Sequence, residues 1–381
     1  MIKKLYLRNF KCFKELNIEF SNLNVFAGIN SMGKSTAIQA ILALRQSYEM
    51  NSIDKGIYLN GSLINLGTGK DVLCRNADED YIGIGLEIDI DESYPFYREL
   101  EGYLGNNSYL FDYCYSYDSE SDYLKNKNTQ TNIIDDSNLF GDNFSYVSAD
   151  RNGPQMYYKY SHREVGELNR IGAKGEYYAG YLAERGFDDK VSNTKLLHSK
   201  SKNDQLIFQM QEWLSELSPG VTITPDKQMM DVGLVSMSFN RVDKPVNVGF
   251  GLSYVAPVIL ALLKAKENDL VILENPEAHL HPRGQRKLGE MIAKAASGGV
   301  QIIVETHSDH ILNGIRLAVK NKDISNEDIR LNYFYCKEIK TSLGNELVHE
   351  KCCPDILEDG RLSDWPDGFF DEWDKALEEL F

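Results

Sequence analysis

Apolar and polar residues alternate along two short segments near the start of the chain, residues 2–8 and 15–20. This period of two predicts half-buried strands, so we expect the chain to open with a small antiparallel set. Residues 81–90 alternate strictly as well and predict another strand. Continuous runs of branched apolar residues begin instead at Leu270 and Val300. Such runs are typical of strands buried on both faces of a parallel sheet.

Helical patterns lie between these strands. We expect helices near residues 175–185 and 204–217. Residues 247–263 are expected to form a glycine-rich turn, a capping-type Ser253 and an apolar helix. Strands that alternate with helices predict an α/β fold with a parallel sheet. Residues 91–143 are rich in Tyr, Asn, Asp and Ser, and we interpret them as an insertion. Heptads are not sustained over several repeats, so a long coiled-coil arm is not expected.

The most specific motif follows the short strand predicted from Leu23 to Ala27. From Gly28 to Ser35 the chain matches G-x-x-x-x-G-K-[ST] and then continues as a helix. In this motif glycines let the backbone wrap a phosphate, the lysine reaches the β- and γ-phosphates, and the hydroxyl binds Mg²⁺. We therefore expect ATP and Mg²⁺ as cofactors, with Ser35 as a metal ligand. The residues expected to bind the nucleotide here are Asn30, Ser31, Met32, Gly33, Lys34, Ser35 and Thr36.

Composition limits the class of protein. The chain has 381 residues and 42% hydrophobic residues, as expected of a soluble globular protein. Its apolar runs fall short of the roughly 20 residues that span a bilayer, and the N-terminal segment lacks the apolar core of a signal peptide. We expect a cytoplasmic protein that does not contact membranes. The six cysteines are scattered without a C-x-x-C pair, which predicts neither a zinc site nor disulfides.

Charge bears on nucleic-acid binding. The formal net charge of -16 opposes adhesion to DNA or RNA over the whole surface, so any such contact needs a local basic patch. One basic stretch runs from Lys159 to Lys174. It is either a solvated face or a surface for nucleic acid or a partner protein.

Polar clusters end the two buried strands. Glu274 ends the first, where phosphate-loop enzymes hold Mg²⁺ through water; the alternative is a salt-bridged strand end. Asn275 and Glu277 follow, and Glu277 is the carboxylate in this segment that can act as a base toward an attacking water. His307 ends the second strand and is expected to contact the γ-phosphate, although a lone histidine is often structural. We therefore predict Glu277, Asn275 and His307 as catalytic residues and Glu274 as a metal ligand.

Six segments toward the two ends of the chain carry a resemblance to a known protein family. They are LYLRNFKCFKELNIEF, GINSMGKST, GFGLSYVAPVIL, LENPEAHLHP, VETHSDHILNGI and DWPDGFFDEW. Together they resemble ABC-type ATPases of the branch that contains the structural-maintenance-of-chromosomes, RecF and overcoming-lysogenization-defect proteins. The last block narrows the resemblance to small prokaryotic ATPases with an uncharacterised C-terminal module, a group that includes components of anti-phage systems.

The resemblance implies an ABC-type P-loop head, with a mixed sheet, flanking helices and an inserted α+β segment. Residues 1–90 would form lobe I with the phosphate loop, and 91–204 the insertion. Residues 205–340 would form lobe II with the signature, the acidic strand end and the switch histidine. Residues 341–381 would form a C-terminal module with an amphipathic helix, which either packs on its own lobe or docks a partner chain.

The resemblance also implies a homodimer in which two heads sandwich two ATP molecules, or a higher oligomer built from it. Lys34 and Ser35 would bind ATP from one subunit, while Gly251 and the turn before a capping-type Ser253 would contact the γ-phosphate from the other. His281 falls where this family usually has an aspartate. Together with His279 it forms an H-x-H pair, but no third ligand suggests a metal site.

Departures from the family pattern bear on turnover. Glu274 replaces the commoner aspartate, and Asn275 stands where ABC enzymes carry the catalytic glutamate. An amide orients water but cannot accept its proton, which predicts slow hydrolysis. No glutamine lies between positions 46 and 130, so either Asn65 or Asp71 would replace the usual Q-loop residue.

These features predict a slow ATPase that acts as the sensor or scaffold of a prokaryotic anti-phage system and controls a separate effector such as a nuclease. One alternative is an ATP-dependent dimerisation switch that does not hydrolyse ATP. The other is a DNA repair or recombination ATPase of the RecF or structural-maintenance-of-chromosomes type, whose hydrolysis DNA would stimulate.

Overall fold

The fold is taken from a computed structural model of the chain. It describes residues 1–89, 108–116, 118–127, 137–142, 144–240, 243–341 and 344–380. Much of the predicted insertion, residues 91–107 and 128–136, therefore lies outside the described residues.

Strands are numbered in chain order. They are β1 (Ile2–Phe10), β2 (Phe13–Glu19), β3 (Leu23–Gly28), β4 (Gly56–Tyr58), β5 (Tyr81–Asp89), β6 (Ser108–Ser116), β7 (Tyr123–Lys125), β8 (Phe144–Val147), β9 (Tyr158–Lys159), β10 (Ile223–Asp226), β11 (Leu234–Phe239), β12 (Leu270–Glu274), β13 (Gln301–Glu305), β14 (Ile329–Thr341) and β15 (Gly344–Cys352).

Helices are numbered in the same way. They are α1 (Lys34–Glu49), α2 (Gly69–Val72), α3 (Tyr178–Arg185), α4 (Leu206–Leu217), α5 (Phe250–Lys264), α6 (Pro282–Ser297), α7 (Asp309–Lys320) and α8 (Glu372–Leu380). No helix of the described residues is both long enough and apolar enough to cross a membrane.

Two compact units divide the chain, and both are discontinuous in sequence. Unit 1 consists of Met1–Ser21, Phe26–Gly141 and Arg330–Pro354. Unit 2 consists of Asn22–Val25, Asp142–Ile329 and Asp355–Phe381. The strand β3 thus begins in unit 2 and ends in unit 1. These unit boundaries differ from the lobe boundaries expected from the sequence, which stay a prediction.

Unit 1 contains the antiparallel sheet expected from the alternating segments. Its strand order is β2-β1-β5-β6. Leu5 of β1 pairs with Ile18 on one side and with Leu86 on the other, and all three side chains are fully buried. The alternation therefore places one apolar face of three strands in the core, as period two requires.

The strand before the phosphate loop does not join this antiparallel set. In unit 1 the end of β3 lies beside β14, and β14 pairs with β15 as an antiparallel hairpin. Phe26 of β3 and Phe334 of β14 meet with ring centroids 5.3 Å apart. The end of β3 is wholly apolar and buried, which suits a position inside a sheet better than a position in the half-buried opening set.

Unit 2 contains the predicted parallel sheet. β12 pairs in parallel with β13 on one side and with β8 on the other. The start of β3 lies beside β13, where the Asn24 side chain donates a 3.0 Å hydrogen bond to the carbonyl of Ile302. Helices α6 and α7 pack so closely that a Cβ on Gly289 would lie 2.3 Å from the carbonyl oxygen of Ile311. The predicted α/β class is confirmed.

The C-terminal segment of unit 2 packs against α7. The guanidinium of Arg316 donates a 2.7 Å hydrogen bond to the carbonyl of Gly360 and lies 5.5 Å from the ring centre of Trp365. Phe369 is buried and contacts Trp365 edge on. These contacts come from the segment before α8, and Leu380 at the end of that helix is 74% exposed. Whether the helix packs on its own lobe or docks a partner chain stays a prediction. The side chain of Trp373 lies outside the described set.

Candidate functional site

The phosphate loop of unit 1 requires glycine at two positions. Gly28 and Gly33 both have positive φ, 142° and 104°. A Cβ on Gly28 would lie 2.3 Å from the carbonyl oxygen of Phe334, and a Cβ on Gly33 would lie 2.3 Å from Cζ of Phe13. Any other residue would therefore be strained in its backbone and would clash with a neighbour as well. The fixed glycines of the motif have a packing reason in this chain.

Lys34 begins helix α1, and its ammonium folds back over the loop. Nζ donates 2.9 Å hydrogen bonds to the carbonyl oxygens of Gly28 and Ile29, and the residue is only 3% exposed. Asn30 and Ser31 at the tip of the loop are exposed. The N-terminus of α1 adds N–H groups and positive potential, so the loop presents donors on its concave side.

A pocket of about 1310 Å³ opens beside the phosphate loop within unit 1. Five cationic side chains line it against two carboxylates, although the whole chain is strongly acidic. Small-molecule pockets typically hold about 300 to 1,000 Å³, so this one accommodates an anionic ligand larger than a phosphate group. Its lining residues include Lys11, Lys14, Ser31, Gly33, Lys34, Ser35, Thr36, Gln39, Lys70, Asp71, Arg75, Asp78, Leu347 and His349.

The two candidates for the Q-loop position differ in location. Asp71 lines the pocket and lies in α2, where its carboxylate accepts hydrogen bonds from the backbone and hydroxyl of Thr68 at 2.8 and 3.1 Å. These hydrogen bonds lower the pKa of Asp71, so it stays ionised. Asn65 instead forms an isolated β-bridge with Asn60 and is not among the residues that line this pocket. Asp71 is the better placed of the two.

In unit 2, Glu274 ends β12 in a half-buried, hydrogen-bonded position. Its Oε2 accepts a 3.1 Å hydrogen bond from the hydroxyl of Tyr146 and another of 3.1 Å from the backbone N–H of Ala149. Burial raises the pKa of the Glu274 carboxyl, and these two donors partly oppose that shift. The alternative interpretation, a salt-bridged strand end, has no counterpart among the ion pairs of the described residues. The carboxylate is thus positioned, partly desolvated and suited to a cation.

Arg151 supports the same strand end and was missed as a site residue. Its guanidinium donates to the carbonyl oxygens of Ser148, Glu274 and Asn275 at 2.8, 2.7 and 2.7 Å. It is only 3% exposed, and burial lowers its pKa. An arginine shortly before Gly153-Pro154 was the available signal, but two of its three partners, Glu274 and Asn275, lie more than 120 residues away.

Asn275 adopts a left-handed backbone conformation, with φ of 43°. Its N–H donates a 2.8 Å hydrogen bond to the carbonyl of Glu305 on the neighbouring strand, while its own carbonyl accepts from Arg151. Asparagine tolerates this conformation better than most residues. Asn275 therefore has a structural role in the turn in addition to its predicted catalytic role.

Glu277 and His307 come together after β12 and β13. Oε1 of Glu277 accepts a 2.9 Å hydrogen bond from the backbone N–H of His307, and burial raises the pKa of the Glu277 carboxyl. Oε2 is buried and makes no hydrogen bond to the described residues. The His307 side chain itself is exposed. A buried carboxylate with a raised pKa and one unsatisfied oxygen has the properties of a general base.

Helix α5 begins three residues before Ser253, which the sequence predicted as its capping residue. The helix begins at Phe250 with Gly249 as its N-cap, so Ser253 is not a capping residue. It lies one turn inside the helix, is fully buried, and its Oγ makes no hydrogen bond to the described residues. The glycine-rich turn lets the helix start earlier because Phe250 and Gly251 already adopt helical geometry. Phe250 is 58% exposed at this end.

Gly251 lies against the turn that follows β12. A Cβ at this position would lie 2.7 Å from the carbonyl oxygen of His279, which itself has φ of 62°. His281 caps α6 by accepting a hydrogen bond from the N–H of Arg283 at 3.3 Å. Among the described residues no group of three or more His, Cys, Asp or Glu side chains could hold a metal ion, so nothing supports an H-x-H metal site.

Comparisons with protein families give three matches. Residues 115–313 match a family described as "AAA domain, putative AbiEii toxin, Type IV TA system". Residues 4–213 match a family described as "AAA domain". Residues 324–380 match a family described as "Protein of unknown function (DUF3696)". None of the curated proteins matches the chain.

Solved structures similar to this chain include heads of SMC proteins. An Smc head bound to the C-terminal winged-helix domain of ScpA is 15% identical, with a TM-score of 0.44 over 92% of this chain and 98% of that chain. The SMC head domain from Thermotoga maritima is 14% identical, with a TM-score of 0.41 over 91% and 98%. An Smc head with ScpA derived from Pyrococcus furiosus is 16% identical, with a TM-score of 0.45 over 100% and 99%.

Proposed function

The chain belongs to the AAA-domain family whose description names a type IV toxin–antitoxin system, and from this membership we propose that it binds ATP with Mg²⁺ and hydrolyses it slowly. The phosphate loop is the observation that carries the proposal. Two glycines shape the loop by close contact with Phe13 and Phe334, and Lys34 is held over it beside a large cationic pocket. This arrangement suits a polyphosphate better than any other ligand class.

Binding requires only local rearrangement in unit 1. The ammonium of Lys34 exchanges its two carbonyl partners, Gly28 and Ile29, for phosphate oxygens, which are stronger acceptors because they are charged. The first N–H groups of α1 and the exposed loop tip donate to the same phosphates. Ser35 supplies the hydroxyl that binds Mg²⁺. When bound, Mg²⁺ neutralises charge on the phosphates during transfer.

The acidic strand end of unit 2 supplies the groups for hydrolysis. Glu274, positioned by Tyr146 and Ala149, acts on the metal side, and its partly desolvated carboxylate gains most from a cation. Glu277 accepts the proton of the attacking water through its unsatisfied Oε2. Asn275 orients that water, and the exposed His307 contacts the γ-phosphate. Turnover is slow because an amide stands where the usual base would be.

The same proposal includes an ATP-dependent homodimer, or a higher oligomer built from it. The N-terminus of α5, with Phe250 exposed and glycines on both sides, offers N–H donors to the γ-phosphate bound by a second subunit. Gly251 allows this end of the helix to lie against the backbone of His279. Ser253 lies buried one turn inside this helix.

In the cell, the protein would be the sensor or scaffold of an anti-phage system that controls a separately encoded effector such as a nuclease. The toxin–antitoxin description of the family and the lack of a recognisable nuclease motif in the sequence support this role. A repair ATPase of the RecF or SMC type would instead show hydrolysis stimulated by DNA through a local basic patch and weakened steeply by salt.

The test is equilibrium binding of ATP with Mg²⁺, single-turnover hydrolysis and native mass for the wild type and Lys34→Ala. We expect binding, slow hydrolysis and an ATP-dependent dimer in the wild type, and loss of all three in the variant. Phage challenge of cells that carry the gene with its neighbours should lose protection with the same variant. A wild type that does not bind ATP would refute the proposal. Lasting ATP-bound dimers without hydrolysis would identify a dimerisation switch.

A further inference from the structure

Strand β15 contributes two side chains to the pocket beside the phosphate loop. Leu347 and His349 are two residues apart on this strand, so their side chains project from the same face. Both line the pocket. They belong to the C-terminal part of the chain, residues 324–380, that matches the family of unknown function. A hairpin of this family thus borders the pocket in which we place ATP.

A ring contact locates His349 close to the phosphate loop. Its imidazole meets the ring of Phe13 edge on, with centroids 6.2 Å apart and planes at 78°. The tip of the same Phe13 ring lies close to Gly33, since a Cβ added at Gly33 would be 2.3 Å from Cζ. Phe13 is therefore a neighbour of both His349 and the loop glycine.

Phe334 also fixes the position of the hairpin formed by β14 and β15. The backbone of Phe334 in β14 lies against Gly28 at the other end of the loop. Phe13 and Phe334 have ring centroids 6.2 Å apart. In the hairpin, Cys336 pairs with His349 and Glu338 pairs with Leu347, so the register of β15 is set by β14. The positions of Leu347 and His349 relative to the loop follow from packed contacts rather than from a loose end of chain.

The chemistry of these two side chains differs from that of the rest of the pocket. Leu347 is 59% exposed, which is unusual for a leucine beside a cationic cavity, and His349 is half-buried. An aliphatic side chain next to an imidazole ring forms a weakly polar wall, whereas phosphates require charges and N–H donors. The phosphate end is already provided by Lys34 and the start of α1. A base, which has two π-faces, suits the wall formed by Leu347 and His349.

We propose that Leu347 and His349 contact the base of the bound ATP, so that the C-terminal hairpin forms one wall of the nucleotide site. This inference rests on the proposed function, since it assigns the occupant of the same pocket. Base binding would cover the exposed face of Leu347 and stack or pack against the imidazole of His349. The β14–β15 hairpin would then be the part of residues 324–380 that senses whether nucleotide is bound.

Calorimetric titration with two ligands tests the proposal. Mg²⁺ with ATP probes phosphates and base together, and Mg²⁺ with inorganic tripolyphosphate probes the phosphate subsite alone. We expect His349→Ala and Leu347→Ala each to weaken ATP binding about tenfold, the range of alanine substitutions at base-stacking side chains. Tripolyphosphate binding should not change. Lys34→Ala should weaken both ligands.

Val348→Ala is the matched control, because it truncates a side chain on the opposite face of the same strand and should bind both ligands as the wild type does. Leu347 is mostly exposed, so its truncation leaves folding intact even if that of His349 does not. Equal losses for ATP and tripolyphosphate, or no loss for ATP in either variant, would overturn the inference while the proposed function stands. A wild type that binds neither ligand would refute both.

Discussion

The backbone N–H of His307 donates a 2.9 Å hydrogen bond to the carboxylate of Glu277, thirty residues earlier in the chain. This bond joins the turns that follow two neighbouring parallel strands, β12 and β13. It leaves the second carboxylate oxygen of Glu277 buried and without a hydrogen bond to the described residues. In α/β proteins the carboxyl ends of the strands carry the chemistry, and here the turn after β13 orients the carboxylate of the turn after β12.

Glu277→Gln should slow single-turnover hydrolysis of ATP by about a hundredfold or more, the usual contribution of a general base. Because the amide keeps the size of the side chain and can still accept from His307, ATP affinity should stay within about twofold. Glu267→Gln is the control, since Glu267 is exposed. Unchanged hydrolysis in Glu277→Gln would refute the role of Glu277 as the base. Rapid-quench assays with radiolabelled ATP measure the effect.

The wild-type rate should also rise with pH through the titration of Glu277. Burial raises the pKa of this carboxyl above its usual value of 4.5, and only the ionised form accepts a proton. On acidification, the hydrolysis rate should therefore begin to fall at a higher pH than it would if the base were an exposed glutamate. The profile of Glu277→Gln should lack this step. A step that persisted in the variant would assign the titration to another group.

How far the sequence predicts the structure depends on how local each feature is. The phosphate loop could be predicted because its strand, glycines and helix are contiguous from Leu23 onward. The family matches confirm the predicted relation to ABC-type P-loop ATPases. The buried strands β12 and β13 could be predicted because their apolar runs are short and rich in β-branched residues, which favours a strand over a buried helix. The assigned roles of Glu277, Asn275 and His307 stay predictions.

The features that were missed depend on contacts between distant segments. Arg151 and Tyr146 act on the strand end near Glu274, which lies more than 120 residues later. Leu347 reaches the pocket of a loop more than 300 residues earlier. Ser253 was misplaced for a local reason, since the glycines before it suggested a turn where helix α5 already begins. Periodicity gives element types but neither long-range partners nor the first residue of a helix.

Arg151→Met should destabilise the strand end that it supports. The change leaves three carbonyl oxygens, those of Ser148, Glu274 and Asn275, without their donor. Unsatisfied buried acceptors cost about 1 to 3 kcal/mol each before relaxation, so we expect a loss of roughly 3 kcal/mol in the free energy of unfolding. Arg151→Lys should recover part of it. Denaturant unfolding measures the change, and exposed Arg163→Met should have no effect. Equal stability of both methionine variants would refute this role.

Gly28→Ala should destabilise the protein far more than the same substitution at a glycine that also has positive φ but has free space around its Cβ position. At Gly28 the new Cβ would lie 2.3 Å from a backbone oxygen, which cannot rotate away. Gly220 has positive φ too, yet nothing lies within 4 Å of its Cβ position. Gly220→Ala should therefore cost about 1 kcal/mol of backbone strain, and Gly28→Ala several times more. Comparable melting temperatures would show that the contact with Phe334 relaxes freely.

A half-buried lysine in unit 2, whose ammonium is desolvated, makes the stability of the protein depend on pH. Lys264 donates a 3.2 Å hydrogen bond to the hydroxyl of Ser145, and its ammonium lies 5.9 Å from the ring centre of Tyr181. Burial lowers the pKa of Lys264 to about 8, despite the nearby carboxylate of Asp269. The folded state therefore disfavours the charged form, which the unfolded chain retains up to its ordinary value of 10.5.

The sign follows from this difference in proton binding. Below about pH 8 both states carry the proton and the full cost of burying the charge is present. As pH rises from about 8 toward 10.5, Lys264 loses its proton in the folded state before it does so in the unfolded state. The cost of the desolvated charge is thereby relieved, and the free energy of unfolding rises over that interval. Lys264→Met should remove this dependence and raise the free energy of unfolding at pH 7 by about 1 to 3 kcal/mol, reduced by the lost bond to Ser145.

Lys266→Met, an exposed change two residues away, is the matched control and should alter neither the stability at pH 7 nor its slope. Urea unfolding at intervals between pH 6 and pH 10 would measure both quantities. Because the two variants lose the same formal charge, any difference between them reports burial and not net charge. A clear loss of stability in Lys264→Met at pH 7 would contradict this prediction. The hydrogen bond to Ser145 and the contact with Tyr181 would then outweigh the cost of desolvation, and Lys264 would stabilise the protein at neutral pH.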